Sequence, residues 1–331
     1  MLRRLVVGCA AALIGAAAHG QPFTMKLSSP TVNDVAHEWM KVFKAGVEAR
    51  SAGRIRVELY PASQLGQIPR TVEGVALGTI ELAIPAVGFL IGLEPRFQVF
   101  DAPGLFDDMP HAARVFADPE IRKRLATFGA SKGIEPLFTF VNGPMVVVSH
   151  RAIRALPDFK GQKLRVPGPA PLQVEPLRKL GASPLSIPLG EVLPAMQNHT
   201  IDGLEAAISI FIAFKYYDIT KFMTYLPGTF LVASGVVNRS FMKSLGPELE
   251  AVVREEAAKA ADIFATRGPA DAERDRQLWE QNGGQAIFLT AADARRYVDD
   301  VGSVLPPILA SNAQLKDDYE ALLAAAKRQR R

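Results

Sequence analysis

One local plan occurs twice in this chain. Leu65-Gly66 leads through a helix-period stretch, Ile68 to Leu77, to Thr79-Ile80-Glu81 and a strand. Leu189-Gly190 leads through a second helix, Glu191 to Asn198, to Thr200-Ile201-Asp202 and a strand. A helix that hands over to a strand, repeated, calls for a sheet with helices packed on its faces. Its presence once in each half suggests two lobes built on related plans.

The neighbouring segments follow the same grammar. Phe23 to Ser29 and Arg54 to Tyr60 read as strands, and Asn33 is placed to cap a helix running to about Arg50. On that helix Val35, Trp39, Phe43 and Val47 recur every fourth residue, with Ala36 and Met40 beside them. Thr79 to Ile84 reads as a strand followed by a loop from Pro85 to Gly92. After Pro144, strands are expected at Lys163 to Val166, near Pro184 to Pro188, and at Ile201 to Glu205. A helix over Leu172 to Leu180 falls between the first two. Pro247 suits the first turn of a later helix with the stripe Leu249, Val252, Val253, Ala257, Ala260, Ala261 and Phe264. Gly268-Pro269 break it, and a further helix carries Trp279. The terminal KRQRR reads as a solvated helix end.

Composition sets the class. With 48% hydrophobic and 22% charged residues, the 331-residue chain has enough apolar material for one large or two medium domains. A net charge of +4 is too small to mark a nucleic-acid surface. A single cysteine excludes an internal disulfide framework and any cluster of thiolates.

The first twenty residues differ from the rest. Arg3 and Arg4 precede an apolar run from Leu5 to Ala18, and Ala18-His19-Gly20 places small residues three before and one before a cut at Gln21. That is the pattern of a cleaved secretory signal peptide. The alternative, a membrane anchor, needs about 20 apolar residues, more than this run supplies. Cys9 follows Val6-Val7-Gly8 in the manner of a lipidation site, but only four apolar residues precede it. Later apolar stretches are short or contain Pro, Gly or Glu. The mature protein is expected to be soluble and exported, without its cysteine.

Catalytic machinery is hard to find. His37-Glu38 opens HEWMK, but Lys41 stands where a zinc helix needs its second histidine. Asp107, Asp108 and His111 fall in an expected loop after Pro103-Gly104 and make a poor metal site. There is no calcium loop, GxSxG, GxGxxG or GxxxxGK pattern. A serine triad of scattered members stays open, with nothing to select one.

Lys163-Leu164-Arg165-Val166-Pro167-Gly168 is more informative. Arg165 lies on a short strand ending at Pro167-Gly168, and α/β folds place ligands beyond such strand ends. A guanidinium there can hold a carboxylate through two parallel hydrogen bonds. An ordinary surface arginine is the competing reading. Glu205 is expected to end its strand, either lining the same cleft or serving as a buried partner for a cation or backbone N–H.

Six blocks give the chain a family resemblance: GRIRVELYPASQLG (53–66), VEGVALGTIELA (72–83), FDAPGLF (100–106), FKGQKLRVPG (159–168), LGASPLSIPLGEVLPAMQNHTIDGLEA (180–206) and KYYDITKFMT (215–224). In this order and spacing the chain resembles the extracytoplasmic solute-binding subunits of tripartite ATP-independent periplasmic (TRAP) transporters, the C4-dicarboxylate-binding type, over about Phe23 to Ala265. The resemblance implies a two-lobed α/β periplasmic-binding-protein fold, a ligand cleft between the lobes, and a long connecting helix. It divides the mature chain into lobe I, 21–143 with 232–271, and lobe II, 144–231 with 272–331, after a signal peptide at 1–20. The family's carboxylate-binding arginine falls on Arg165.

Two departures stand out. Many members have a second arginine shortly after an Asn-Gly pair. Here Asn142-Gly143 is followed by Pro144 and Met145. Many also have asparagine after the equivalent of Glu205, where this chain has Ala206. Both changes remove polar groups that a second buried carboxylate would need. The wall expected from the resemblance is Ala86, Val87, Phe89, Met145, Leu189, Ala206, Phe211 and Phe230. Asn33, Gln64, Asn142 and Ser209 could add polar contacts. A monocarboxylate with an apolar or aromatic body is the expected ligand. The resemblance implies a non-enzymatic receptor without cofactor or metal, delivering ligand to a two-part membrane permease, as a monomer or homodimer. A periplasmic hydrolase of small organic acids and a receptor feeding a membrane sensor are the competing functions.

Overall fold

Three strands that run in one direction open the chain. The computed structural model describes residues 22–330, so the expected signal peptide and Cys9 lie outside the described residues. In order come β1 (Phe23–Ser28), α1 (Val35–Arg50), β2 (Ile55–Tyr60), α2 (Ile68–Leu77) and β3 (Leu82–Ala83). After α3 (Met109–Ala117) and α4 (Pro119–Leu125) comes the long β4 (Ile134–Ser149). The sequence of elements then repeats: β5 (Lys163–Val166), α5 (Pro171–Lys179), β6 (Ser183–Ser186), α6 (Leu189–Gln197), β7 (Gly203–Ala207), α7 (Ile208–Ala213) and the long β8 (Phe222–Asn238). The remainder is α8 (Arg239–Ser244), α9 (Gly246–Thr266), α10 (Gly268–Gln281), β9 (Gln285–Ile287), α11 (Ala291–Gly302), α12 (Leu305–Ala310) and α13 (Ala313–Gln329).

The sheet runs β2-β1-β3-β8-β4-β7-β5-β6, with β9 also on β8. β1 is parallel to β2 and β3, and β5 is parallel to β6 and β7. The two long strands are exchanged. β8, from the second half, completes the first half's sheet against β3, and β4 completes the second half's against β7, both antiparallel. β4 and β8 pair with each other along most of their length, with register shifts at Pro136/Phe138, Val141/Gly143 and Pro144/Val146. Such bulges bend a ribbon locally.

The recurring unit is the same structure twice. α2 ends on Gly78 at φ +77° and α6 is followed by His199 at φ +57°, both left-handed. The amides of Thr79 and Ile80 return to the Gly74 carbonyl, and those of Thr200 and Ile201 to the Ala195 carbonyl. The acid that follows then ties the unit to the central strand of its half. Glu81 Oε2 accepts from the Lys26 N–H at 2.7 Å, and Asp202 Oδ2 from the Lys163 N–H at 2.8 Å. These turn bonds use the amides that the expected strands would have needed. So β3 starts at Leu82 and β7 at Gly203, and Glu205 sits inside β7 instead of at its end.

α1 buries the expected face: Val35, Ala36, Trp39, Met40, Phe43 and Val47. Trp39 stacks on Phe43 and Phe138, with ring centroids 4.7 and 3.9 Å apart. Its cap is Asp34, not Asn33. The Asp34 carboxylate accepts the His37 N–H at 3.0 Å, the reach of a cap to the third helical residue. The segment of Asp107, Asp108 and His111 is a helix start, not a loop. Asp108 caps α3 by accepting the His111 N–H, and His111 Nδ1 accepts the Asp107 N–H while Nε2 donates to the Ala326 carbonyl. Its imidazole is therefore a structural tie between α3 and α13.

Candidate functional site

The C-terminal ends of β1, β3 and β5 and the starts of α2 and α6 converge on one cavity. Both halves contribute to it. Its wall includes Ile68, Ala86, Phe89 and Phe140 from the first half, and Pro167, Leu189 and Ile210 from the second. Thr31, Asn142 and Arg165 supply its polar atoms. Its volume is about 40 Å³, room for a few water-sized groups.

Arg165 is fixed from the backbone up. Leu164 and Val166 anchor β5 in the core, and Arg165 itself is only 2% exposed. Its Nε donates to the Ile187 carbonyl at 3.1 Å and Nη1 to the Glu205 carbonyl at 3.4 Å. Among the described residues no carboxylate makes a salt bridge with it. Burial lowers its pKa to about 10, partly offset by Tyr216 and Glu205, so it stays charged at neutral pH. A guanidinium has five N–H donors, and two are committed here. Asn142 faces the same cavity. Its Nδ2 reaches Ser209 Oγ at 3.5 Å and its Oδ1, though buried, has no partner among the described residues.

A second, smaller cavity of about 20 Å³ lies nearby. Asp101, Met145, Gln173, Glu205, Thr229 and Tyr297 bring its chemistry, with Leu172, Leu177 and Phe230 among its apolar neighbours. Gln173 Nε2 donates to Asp101 Oδ1 at 3.0 Å. Among the described residues Asp101 Oδ2, Gln173 Oε1 and Glu205 Oε2 are buried without partners. Burial pushes Asp101 up to about 7 against the Gln173 hydrogen bond. Burial, aided by the Asp101 charge and opposed by Arg165, pushes Glu205 up to about 8. Tyr297 Oη lies 3.3 Å from Thr229 Oγ1.

The ten residues singled out from sequence divide by place. Arg165, Asn142, Leu189 and Phe89 line the first cavity, and Met145 and Glu205 the second. Val87, Ala206 and Phe211 are buried in the core and line neither. Asn33 is exposed at φ +60°, with its N–H donated to His37 Nδ1. Of the secondary candidates, Ala86 lines the first cavity and Phe230 the second. Gln64 is exposed, and Ser209 meets Asn142. Asp101, Gln173, Thr229 and Tyr297 were missed. Asp101 alone carried a signal, since it lies inside the FDAPGLF block.

Close contacts hold the two halves together around the first cavity. The Gly190 N–H donates to Gln67 Oε1 at 3.2 Å. Gly168 lies against Gly88 so tightly that a Cβ on it would stand 2.6 Å from the Gly88 carbonyl carbon. Among the described residues no cluster of three or more His, Cys, Asp or Glu could hold a metal ion, and no helix is long and apolar enough to cross a membrane.

Residues 28–311 match the model of the bacterial extracellular solute-binding protein family 7. The chain is 26% identical over 271 residues to the 2,3-diketo-L-gulonate-binding periplasmic protein YiaO of Escherichia coli, covering 82% of this chain and 81% of that one. It is 27% identical over 313 residues to the C4-dicarboxylate-binding periplasmic protein DctP of Rhodobacter capsulatus, covering 91% and 92%. Among solved structures it resembles a TRAP periplasmic solute-binding protein from Shewanella oneidensis with bound succinate. There the TM-score is 0.83 at 26% identity, over 92% of this chain and 99% of that one.

Proposed function

As the chain belongs to the bacterial extracellular solute-binding protein family 7, we propose that this TRAP-type receptor captures a small organic monocarboxylate with an apolar or aromatic body. One observation carries the reading: a buried Arg165, without a salt bridge among the described residues, faces a cavity whose other walls are mostly apolar. A buried cation without a counter-charge favours an anionic ligand strongly. The guanidinium plane, held by two backbone carbonyls, offers its remaining donors in the fork that suits a carboxylate. Ile68, Phe89, Leu189 and Ile210 favour an apolar remainder. Asn142 Oδ1 would accept one hydroxyl or amide N–H.

Lobe I is taken as 21–143 with 232–271, and lobe II as 144–231 with 272–331. The site lies where these lobes meet, so closing them buries the ligand and opening them releases it. The soluble receptor performs no chemistry and passes its ligand to a two-part membrane permease from the periplasm. Calorimetric titration of matched mono- and dicarboxylates tests the ligand class. Saturable binding of an aromatic or branched monocarboxylate, with succinate-like diacids inactive, is the expected result. Binding restricted to diacids or sugar acids overturns it.

A further inference from the structure

Where the first cavity is lined by Arg165, the second is lined by two acids, Asp101 and Glu205. Its free polar atoms are all acceptors: Asp101 Oδ2, Gln173 Oε1 and Glu205 Oε2, from three residues each at least nine-tenths buried. Thr229 and Tyr297 add hydroxyl oxygens from β8 and α11. These oxygens converge from five separate elements, so chain connectivity alone does not explain their meeting. Buried acceptors without donors are costly, and two carboxylates among them more so. Met145, Leu172 and Leu177 close the walls with apolar surface and bring no counter-charge. Arg165 spends its hydrogen bonds on two backbone carbonyls, of Ile187 and of Glu205 itself, and none on the Glu205 carboxylate. A volume of about 20 Å³ admits one water-sized group.

We propose that this cavity is a subsite for a single small positive charge, held by Asp101, Glu205 and Gln173. Oxygen-only donors of this kind suit sodium, calcium or an ammonium group. The charge has two possible sources: a free hard cation, or the ammonium end of the organic ligand. The second rests on the receptor reading above, and the first does not.

Exhaustively dialysed protein at pH 8 provides the test, read as melting temperature and by calorimetry. One arm titrates sodium chloride or calcium chloride against choline chloride at matched ionic strength. The other compares pairs of ligands that differ only in a 2-ammonium group. Both are repeated on Asp101→Asn and Glu205→Gln, which keep shape and remove charge. A saturable shift with sodium or calcium but not choline identifies the free ion. Preference for the ammonium-bearing acid over its deaminated partner identifies the ligand. Either preference should fall roughly 30-fold or more in both variants. Indifference of the wild type to both overturns the proposal, as does a response that both variants retain. Monocarboxylate binding that survives such a failure leaves the receptor reading intact, so the two fail separately.

Discussion

Gly168, just beyond β5, packs so closely on Gly88 that a methyl group on Gly168 would meet the Gly88 carbonyl carbon at 2.6 Å. The two residues belong to opposite halves, and the contact lies beside the cavity that holds Arg165. Closure at this point is backbone against backbone, which no rotamer change can relieve. Gly168→Ala should therefore hold the halves slightly apart. Overpacking of this kind costs about 1–3 kcal/mol, here charged to closure. Ligand affinity should fall, mainly through faster release, while the unliganded melting temperature changes little. Stopped-flow release rates and small-angle scattering of the liganded variant check this.

Removing the guanidinium should be more severe. Arg165→Ala takes away the partner of a buried carboxylate, a loss of about 2–5 kcal/mol in comparable pairs. Affinity should drop by roughly 30-fold or more. Arg165→Lys should restore only part of it, because an ammonium cannot make both backbone bonds and a forked contact at once. Calorimetry on the three proteins decides the point, and unchanged affinity in Arg165→Ala would remove the arginine from the site.

Stability should depend on pH through Asp101 and Glu205. Both pKa values are raised by folding, from 3.8 to about 7 and from 4.5 to about 8. The folded state then binds more protons than the unfolded state between these limits, so stability falls as pH rises. The decline should begin near pH 4, level off above pH 8, and shrink in Asp101→Asn and Glu205→Gln. Urea denaturation in choline buffer across that range measures it. A flat profile in the wild type would contradict the buried, unpaired placement of these carboxyls.

Met145 lines the same small cavity as Asp101 and Glu205. An arginine there would bring a fixed positive charge to two carboxylates that form no salt bridge among the described residues. Met145→Arg should lower the Glu205 pKa, flatten the pH profile, and abolish any response to sodium or calcium. The same denaturation series, run with and without each salt, reads all three effects.

The repeated helix ends offer a control that does not involve the ligand. Gly78 adopts φ +77°, a conformation that costs an ordinary residue roughly 1 kcal/mol or more. Gly78→Ala should lose about that much in urea denaturation, and His199→Gly, at the matching place in the second unit, should gain up to about 1 kcal/mol. The gain would be reduced by whatever the His199 ring contributes against His150, 4.4 Å away between centroids.

Local periodicity made much of this architecture legible. The helix over Ile68 to Leu77 and the strand over Lys163 to Val166 stand where the pattern put them. Trp39 and Phe43 lie on the expected face. Boundaries failed where a side chain or turn competes for backbone amides, as at Asp34 and at Thr200-Ile201. Which residues meet at a cleft was harder. Val87, Ala206 and Phe211 are apolar residues near the site in sequence, and nothing local says whether such a side chain turns inward to the core. The acid-lined cavity was invisible for another reason. Asp101, Gln173, Glu205 and Tyr297 come from four elements spread over most of the chain, and only tertiary packing gathers them.

The exchange of β4 and β8 means that neither half is a separable object. A chain cut between Ser149 and Lys163 would leave the first half without β8 and the second without β4, each exposing an unpaired strand edge. Such fragments should be insoluble alone and recover structure only when mixed. In the intact protein the same exchange acts as a tether. β4 and β8 each carry residues of both cavities, so the strands that join the halves are also strands that line both sites.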